Sequence, residues 1–380
     1  MRLSKRGDLD PFIVMDVAEA ARRAEEAGRH IIHMEIGQPG TGAPQAALER
    51  LKVSLNEDPM GYTVSLGLPE LRARIARLYG EWYDVDLDPA RVVISSGASG
   101  AFVLAFTALF DSGARVGLGA PCYPSYRQIL RGLGLNPVVV RTREEARFQP
   151  EPEDIKRHKL DGLIVASPAN PTGTMLDKAA LSALSAACAD AGAAFISDEI
   201  YHGIEYDAPA ATALSVTDDV YVVNSFSKYF SMTGWRVGWM VVPPAHVRTV
   251  ERIAQNMFIC APHAAQKLAL FSMDCDDELR KNLAVYRRNR EMLLAGLPKA
   301  GFHRFAPPDG AFYVYVDVSE HCDDSRAFAA ELLEGASVAV TPGLDFDAEE
   351  GGKWLRFSYA RDTADIEEGL RRLRAYMQVR

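Results

Sequence analysis

Val220-Tyr221-Val222-Val223-Asn224-Ser225-Phe226-Ser227-Lys228 runs from an apolar, β-branched stretch into two hydroxyls and an amine. Thr233-Gly234-Trp235-Arg236-Val237-Gly238 follows, placing a guanidinium eight residues past the lysine. The apolar run reads as a buried strand, so Lys228 stands just beyond its carboxyl end. In an open α/β sheet that rim is where ligands bind. Hydroxyls and an arginine fork suit a phosphate, and a lysine held beside them can form a Schiff base with a carbonyl. A loop lysine met alone is most simply a solvated one, so the functional reading depends on the rest of the chain.

Outward from this stretch, strand patterns alternate with helical ones. Arg91-Val92-Val93-Ile94 runs into the small residues Ser95-Ser96-Gly97-Ala98-Ser99-Gly100, and an apolar helix follows over Ala101–Phe110. Small residues between a strand and a helix leave backbone N–H groups aimed outward, a geometry that holds phosphate. Neither GxxxxGK nor GxGxxG occurs there. Val116–Leu118 leads to Pro121-Cys122-Tyr123-Pro124-Ser125-Tyr126 and a helix to Leu133. Val138–Val140 is another strand, with a polar, surface-like segment from Thr142 to Lys159 behind it. Leu163–Ala166 ends in Ser167-Pro168-Ala169-Asn170-Pro171-Thr172-Gly173. A helix over Lys178–Ala191 precedes the strand Ala193-Ala194-Phe195-Ile196-Ser197-Asp198-Glu199. Such alternation predicts an α/β fold with a mainly parallel sheet flanked by helices. Because parallel strands share a carboxyl edge, the polar clusters at Gly97–Gly100, Tyr123, Asn170, Asp198 with Tyr201, and Ser225–Lys228 converge on one rim. Asp198 in an apolar strand needs a cation or several donors, since an unpaired carboxylate is costly to bury. A protonated pyridine nitrogen serves that need, and capping a following helix is the plainer alternative. Pyridoxal phosphate carries the phosphate, the carbonyl and the ring nitrogen together.

Before this central region, a helical pattern spans residues 11–27 and Ile31–Ile36 reads as a strand stopped by Gly37-Gln38-Pro39-Gly40. Gly37 makes a turn there, or lets a ligand approach the backbone. Gly67-Leu68-Pro69-Glu70 opens an amphipathic helix running to about Tyr83. After it, Glu278–Leu297 is a long amphipathic helix, followed by mixed elements at Ala311–Asp317, Arg326–Leu333, Val338–Val340, Trp354–Tyr359 and Asp365–Met377. The pattern divides the 380 residues into a large α/β domain over 41–279 and a smaller α+β domain made of 1–40 and 280–380.

Composition narrows the function classes. A net charge of −9 and 24% charged residues describe an acidic protein, which argues against general nucleic-acid binding. The five cysteines are scattered without CxxC spacing, so they read as reduced thiols with neither disulfide nor zinc site. The charged start, Met1-Arg2-Leu3-Ser4-Lys5-Arg6, carries no apolar segment, and Ala101–Phe110 is too short to span a bilayer. A cytoplasmic protein without a membrane partner is expected. No second histidine lies at metal-ligand spacing from His202, so no metal site is expected. Cys122 reads as a small buried thiol.

Ser225-Phe226-Ser227-Lys228 with Gly234-Trp235-Arg236-Val237-Gly238 resembles the lysine site of class I/II aminotransferases of fold type I. Asn170-Pro171-Thr172-Gly173, Asp198-Glu199-Ile200-Tyr201 and Trp354-Leu355-Arg356-Phe357-Ser358 resemble the same family, in the same order. The resemblance implies pyridoxal 5'-phosphate bound to Lys228 as a Schiff base, with Asp198 paired to the pyridinium nitrogen. It implies that Asn170 and Tyr201 hydrogen-bond the phenolic oxygen and that Tyr123 stacks on the ring. Gly97, Ala98, Ser99, Ser225, Ser227 and Arg236 hold the phosphate, and Tyr62 reaches it from the other subunit of a homodimer. Arg356 clamps the substrate α-carboxylate, helped by the backbone at Gly37. One departure is visible: after Pro342-Gly343 the family often has Phe-Gly, whereas this chain has Phe346-Asp347 and then Glu349-Glu350.

The expected activity is transfer of an amino group from an L-α-amino acid to a 2-oxo acid in two half-reactions. A carbon–sulfur β-lyase on the same scaffold is the alternative. A cofactor-sensing regulator needs a DNA-binding head, and the roughly 40 residues before the core hold no basic helix-turn-helix. Substrate identity is not written in these motifs.

Overall fold

The computed structural model describes residues 1–380. Helix α1 (Ile13–Glu26) and the short strand β1 (Ile32–His33) come first, followed by α2 (Gln45–Glu57) and α3 (Pro69–Tyr83). Seven strands then build the central sheet: β2 (Val92–Ser95), β3 (Arg115–Ala120), β4 (Asn136–Arg141), β5 (Gly162–Ala166), β6 (Ala194–Asp198), β7 (Tyr221–Ser225) and β8 (Gly238–Val241). Their order is β2-β8-β7-β6-β5-β3-β4. All neighbours run parallel except β8, which is antiparallel to both β2 and β7. Along β6, Phe195 packs into a cluster of 66 buried residues and Ile196 into a separate cluster of 21. Adjacent residues on opposite faces both find apolar cover, which is why these strands read as continuous apolar runs.

Strand β8 was not anticipated. The chain leaves β7, turns through Arg236 in the left-handed region at φ 52°, and returns alongside. A Cβ on Gly238 would lie 2.8 Å from the Asn224 carbonyl oxygen, so glycine allows this close return. The buried Trp239 then sits 4.9 Å from Phe226, ring to ring, and its indole N–H donates to Tyr79 Oη at 3.2 Å.

Elsewhere the sequence pattern needs correction. The Gly97–Gly100 segment, expected as a loop, is already the first turn of α4 (Gly97–Leu109). The polar segment 142–159 contains a helix, Pro152–His158, opened by a capping box between Glu151 and Asp154. Helices α2, Val247–Met257 and His263–Ser272 lie in stretches left unassigned. The expected strand Ile31–Ile36 is regular only at Ile32–His33, and Ile36 and Gly37 go on to the rim of the central sheet.

Strands β9 (Arg304–Phe305), β10 (Tyr313–Asp317), β11 (Val338–Ala339), β12 (Thr341–Pro342) and β13 (Trp354–Ser358) come from the last quarter of the chain. Four of them form an antiparallel sheet in the order β12-β13-β10-β9, while β11 pairs with β1. The strand expected at Val338–Val340 is regular at Val338–Ala339, and the chain joins the other sheet only from Thr341. In this register Arg356 lies between Tyr315 of β10 and Thr341 of β12. The 66-residue cluster runs through both regions, including Phe226 from one and Phe312 and Phe357 from the other. No helix is long and apolar enough to cross a membrane.

Candidate active site

Strands β5, β6 and β7 end side by side, and beyond them opens a cavity of about 220 Å³. Lys228, Asp198, Asn170, Tyr201, Tyr123 and Gly37 line it, as do Ala98, Ser99, Ser227, Arg236 and Arg356. The convergence expected from a shared carboxyl edge is therefore present.

Lys228 Nζ donates to the Gly37 carbonyl oxygen at 2.6 Å. Burial, then the neighbouring Arg356 and Arg236 cations, lowers its pKa to about 7, with Asp198 acting in the opposite direction. Asp198 is 3% exposed and burial pushes its pKa up to about 6. Two donors meet its carboxylate: the Tyr126 hydroxyl on Oδ2, and the Ile200 N–H on Oδ1 at 3.1 Å. The second bond is the local turn contact that the helix-cap alternative foresaw, but no helix begins there. A buried carboxylate and a buried amine, each short of charge compensation, line one cavity.

At one end of the cavity the first turn of α4 presents the backbone of Ala98 and Ser99. Gly97 has φ +73°, and a Cβ there would lie 2.5 Å from Arg236 Nη2, so its bare backbone lets the guanidinium come close. Arg236 Nη1 donates to the Thr233 carbonyl at 2.9 Å. Ser225 Oγ lies 2.9 Å from Ser227 Oγ and accepts the Ser227 N–H at 3.2 Å, so it orients Ser227 rather than lining the cavity itself. Helix N–H groups, a hydroxyl and a guanidinium are the donors a phosphate needs.

Arg356 is 4% exposed. Its Nη1 donates to Asn170 Oδ1 at 2.9 Å, and Nη2 reaches Thr341 Oγ1 at 3.2 Å and the Glu35 carbonyl. The guanidinium lies 4.4 Å from the Tyr313 ring centre and 4.8 Å from that of Phe346. Two rings holding one cation fix it in place, a contact type worth about 2 kcal/mol when desolvated. Its buried Nε has no partner within the chain. The departure at Phe346-Asp347 is accommodated: Phe346 packs on Arg356, and Asp347 pairs with Arg141 at 2.8 Å.

Tyr126 and Tyr313 are among the cavity-lining residues that were missed. Tyr126 lies in the first turn of the helix Pro124–Gly132, three residues after its N-cap Tyr123, and that nearness in sequence was the available signal. Tyr313 carries no local signal. Its hydroxyl is 2.7 Å from that of Tyr201, and a Cβ on Gly37 would fall 1.8 Å from it. Gly37 therefore has to be glycine because of packing. Tyr62 lies outside the cavity, 84% exposed. His202 is a packed histidine, 2.6 Å from Tyr83 Oη and 2.9 Å from the Ser167 carbonyl oxygen. Cys122 lines smaller neighbouring cavities, and burial raises its thiol pKa to about 12. No group of three His, Cys, Asp or Glu side chains is arranged to hold a metal ion.

Residues 29–373 match the family described as aminotransferase class I and II. The chain is 42% identical to a valine–pyruvate aminotransferase of Mycobacterium tuberculosis, covering 99% of this chain and 98% of that one. A crystal structure from Silicibacter pomeroyi is similar at 69% identity and TM-score 0.96, with full coverage of both chains. Aspartate aminotransferase from Thermus thermophilus, solved with maleate, is similar at 29% identity and TM-score 0.92, covering 99% of this chain and all of that one.

Proposed function

The chain belongs to the class I and II aminotransferase family and is an aminotransferase, and we propose that it works with pyridoxal 5'-phosphate held at Lys228. The residues fit that group. Asp198 is a buried carboxylate facing the cavity with no cationic partner there but Lys228, and a protonated ring nitrogen supplies one. Ala98, Ser99, Ser227 and Arg236, with Gly97 and Ser225 behind them, offer donors for the phosphate. Asn170, Tyr201 and Tyr123 line the same cavity, which supports Asn170 and Tyr201 as partners of the phenolic oxygen and Tyr123 as cover for the ring face. When bound, the cofactor supplies a carbonyl that condenses with amines and a conjugated ring that spreads the charge left by a departing α-proton.

The chain's own residues do the rest. Arg356 binds the α-carboxylate of an L-α-amino acid and then of the 2-oxo acid, and its two ring contacts fix its orientation. Lys228 Nζ, with a pKa near 7, is uncharged often enough at neutral pH to take the proton from the substrate Cα and to give it back. Asp198, kept from water by Tyr126 and the surrounding apolar side chains, holds a cation at the ring nitrogen. The single observation that carries this reading is the pairing of a buried, pKa-lowered Lys228 with a buried, pKa-raised Asp198 in one cavity.

We further propose a large domain over 41–279 with a small one from 1–40 and 280–380, and a cytoplasmic homodimer in which Tyr62 serves the partner's site. The test of the cofactor assignment is borohydride reduction of the cofactor-loaded protein followed by peptide mapping. The pyridoxyl group should be found on Lys228, and an amino donor followed by a 2-oxo acid should cycle the absorbance. A label on another lysine, or release of pyruvate and ammonia without amino transfer, overturns it.

A further inference from the structure

We propose that the first turn of α1, fastened by Asp345, is the wall against which the substrate side chain lies, and that it selects apolar amino donors over dicarboxylic ones. The inference rests on the roles of Lys228 and Arg356 given above. The cations lining the cavity are Lys228, Arg236 and Arg356, and each already has a partner in the proposed reaction. On the side of the cavity formed by α1 and the segment after β1, the lining side chains of this chain are Phe12, Val14, Met15 and Ile36, all apolar. A distal carboxylate laid on those atoms loses water and gains no counter-charge, whereas apolar carbons gain roughly fourfold in affinity per methylene buried.

The wall is held from elsewhere in the chain. Phe12 precedes α1 and makes no side-chain cap. Instead Asp345, more than three hundred residues away, accepts the Ile13 N–H at 2.9 Å and the Val14 N–H at 3.2 Å. A carboxylate on a helix N-terminus satisfies free donors and meets the positive end of the helix dipole. Asp345 is 3% exposed, and the next residue, Phe346, packs on Arg356. One loop thus sets both the carboxylate-binding guanidinium and the apolar wall. Phe12 also stands edge-on to Tyr123 at 6.0 Å, which ties the wall to the aromatic side of the cavity. Asp345 is a positioning residue here, because it acts through α1.

The experiment uses the cofactor-loaded enzyme. Single-turnover conversion is followed by absorbance for alanine, valine, leucine, aspartate and glutamate, and dissociation constants are measured for 3-methylbutanoate and succinate. Valine and leucine should exceed aspartate and glutamate by a hundredfold or more in conversion efficiency, and 3-methylbutanoate should bind more tightly than succinate. Met15→Arg should reverse the preference between the two inhibitors. Asp345→Ala should raise KM for valine about tenfold while leaving alanine, whose methyl does not reach the wall, within about threefold. A purely structural loss would move both substrates together, and that result refutes the positioning role. Faster conversion of aspartate or glutamate overturns the selectivity while leaving the aminotransferase reading intact. If no amino acid converts the cofactor, both fall. Should Met15→Arg fail to fold, the wild-type ligand series decides alone.

Discussion

Lys228 and Asp198 illustrate how burial turns ordinary side chains into reagents. Water is withdrawn from both, so each shifts toward its neutral form: the amine down to about 7 and the carboxyl up to about 6. The sign for lysine is that its uncharged, nucleophilic form accumulates as pH rises through the lowered value. In cofactor-free protein, acylation of Lys228 by a small electrophile should therefore climb around pH 7, whereas surface lysines respond near their usual value, about 10.4. Peptide-resolved labelling rates measure this, and a midpoint near ten would show that the amine is solvated. Asp198→Ala should preserve the fold yet slow α-proton removal by roughly a hundred- to a thousandfold, the scale of losing one stabilising group at developing charge. Ordinary single-turnover rates in that variant would reduce Asp198 to its turn contact with Ile200.

Elements matter where their ends meet. The first turn of α4 and the β7–β8 return are complementary: Gly97 lacks a Cβ where Arg236 arrives, and Arg236 reaches it from a left-handed turn at φ 52°. Gly97→Ala places a methyl 2.5 Å from Arg236 Nη2 and adds a side chain at φ +73°. Cofactor affinity in that variant should fall about tenfold or more, read by equilibrium dialysis, with the melting temperature of the cofactor-free protein little changed because the site lies at a helix end. Unaltered affinity would separate Gly97 from the phosphate. A comparable constraint operates at the loop before Arg356, where Gly343 and Gly351 lie back to back, a Cβ on the former falling 2.5 Å from the latter's carbonyl oxygen. That close approach lets the Ala348–Glu350 stretch face outward while Phe346 stays under the guanidinium and Asp347 stays buried.

At the scale of the whole molecule, Tyr62 is the residue that one chain leaves unexplained. It is joined in exposure by Val64, Met257, Phe258 and Ile259, and the loops carrying them are tied together by a 2.9 Å contact between His263 Nδ1 and the Gly61 carbonyl oxygen. A two-fold dimer that covers this apolar group would deliver Tyr62 to the partner's phosphate site. Lys228→Ala and Tyr62→Ala proteins, each poorly active, should regain activity when mixed and allowed to exchange subunits, because one site of each heterodimer then carries neither defect. A flat response after demonstrated exchange, or a monomer in solution, would reject the shared site.

The order of strands and helices in the centre of the chain, and the convergence of Asn170, Asp198 and Lys228 on one rim, follow from local pattern. Apolar β-branched runs ending in polar residues specify parallel strands, and parallel strands share an edge. The helix Lys178–Ala191 was legible to the residue, and α3 was legible from Pro69 near its first turn to about Tyr83. The residues proposed for the phosphate and the carbonyl were legible for the same reason, since they sit beside those strand ends, whereas Arg356, in the middle of β13, was singled out only by the family resemblance. Strand β8 was not, because four residues carry too little periodicity and their pairing depends on a turn that only the fold closes. Tyr313 and Asp345 were equally silent: their roles come from contacts made across more than a hundred residues with Tyr201 and α1, while that of Phe346 depends on how its loop folds back onto Arg356, ten residues on. Local pattern decided what chemistry the chain can hold, and long-range packing decided how tightly it is held and which side chains stand around it.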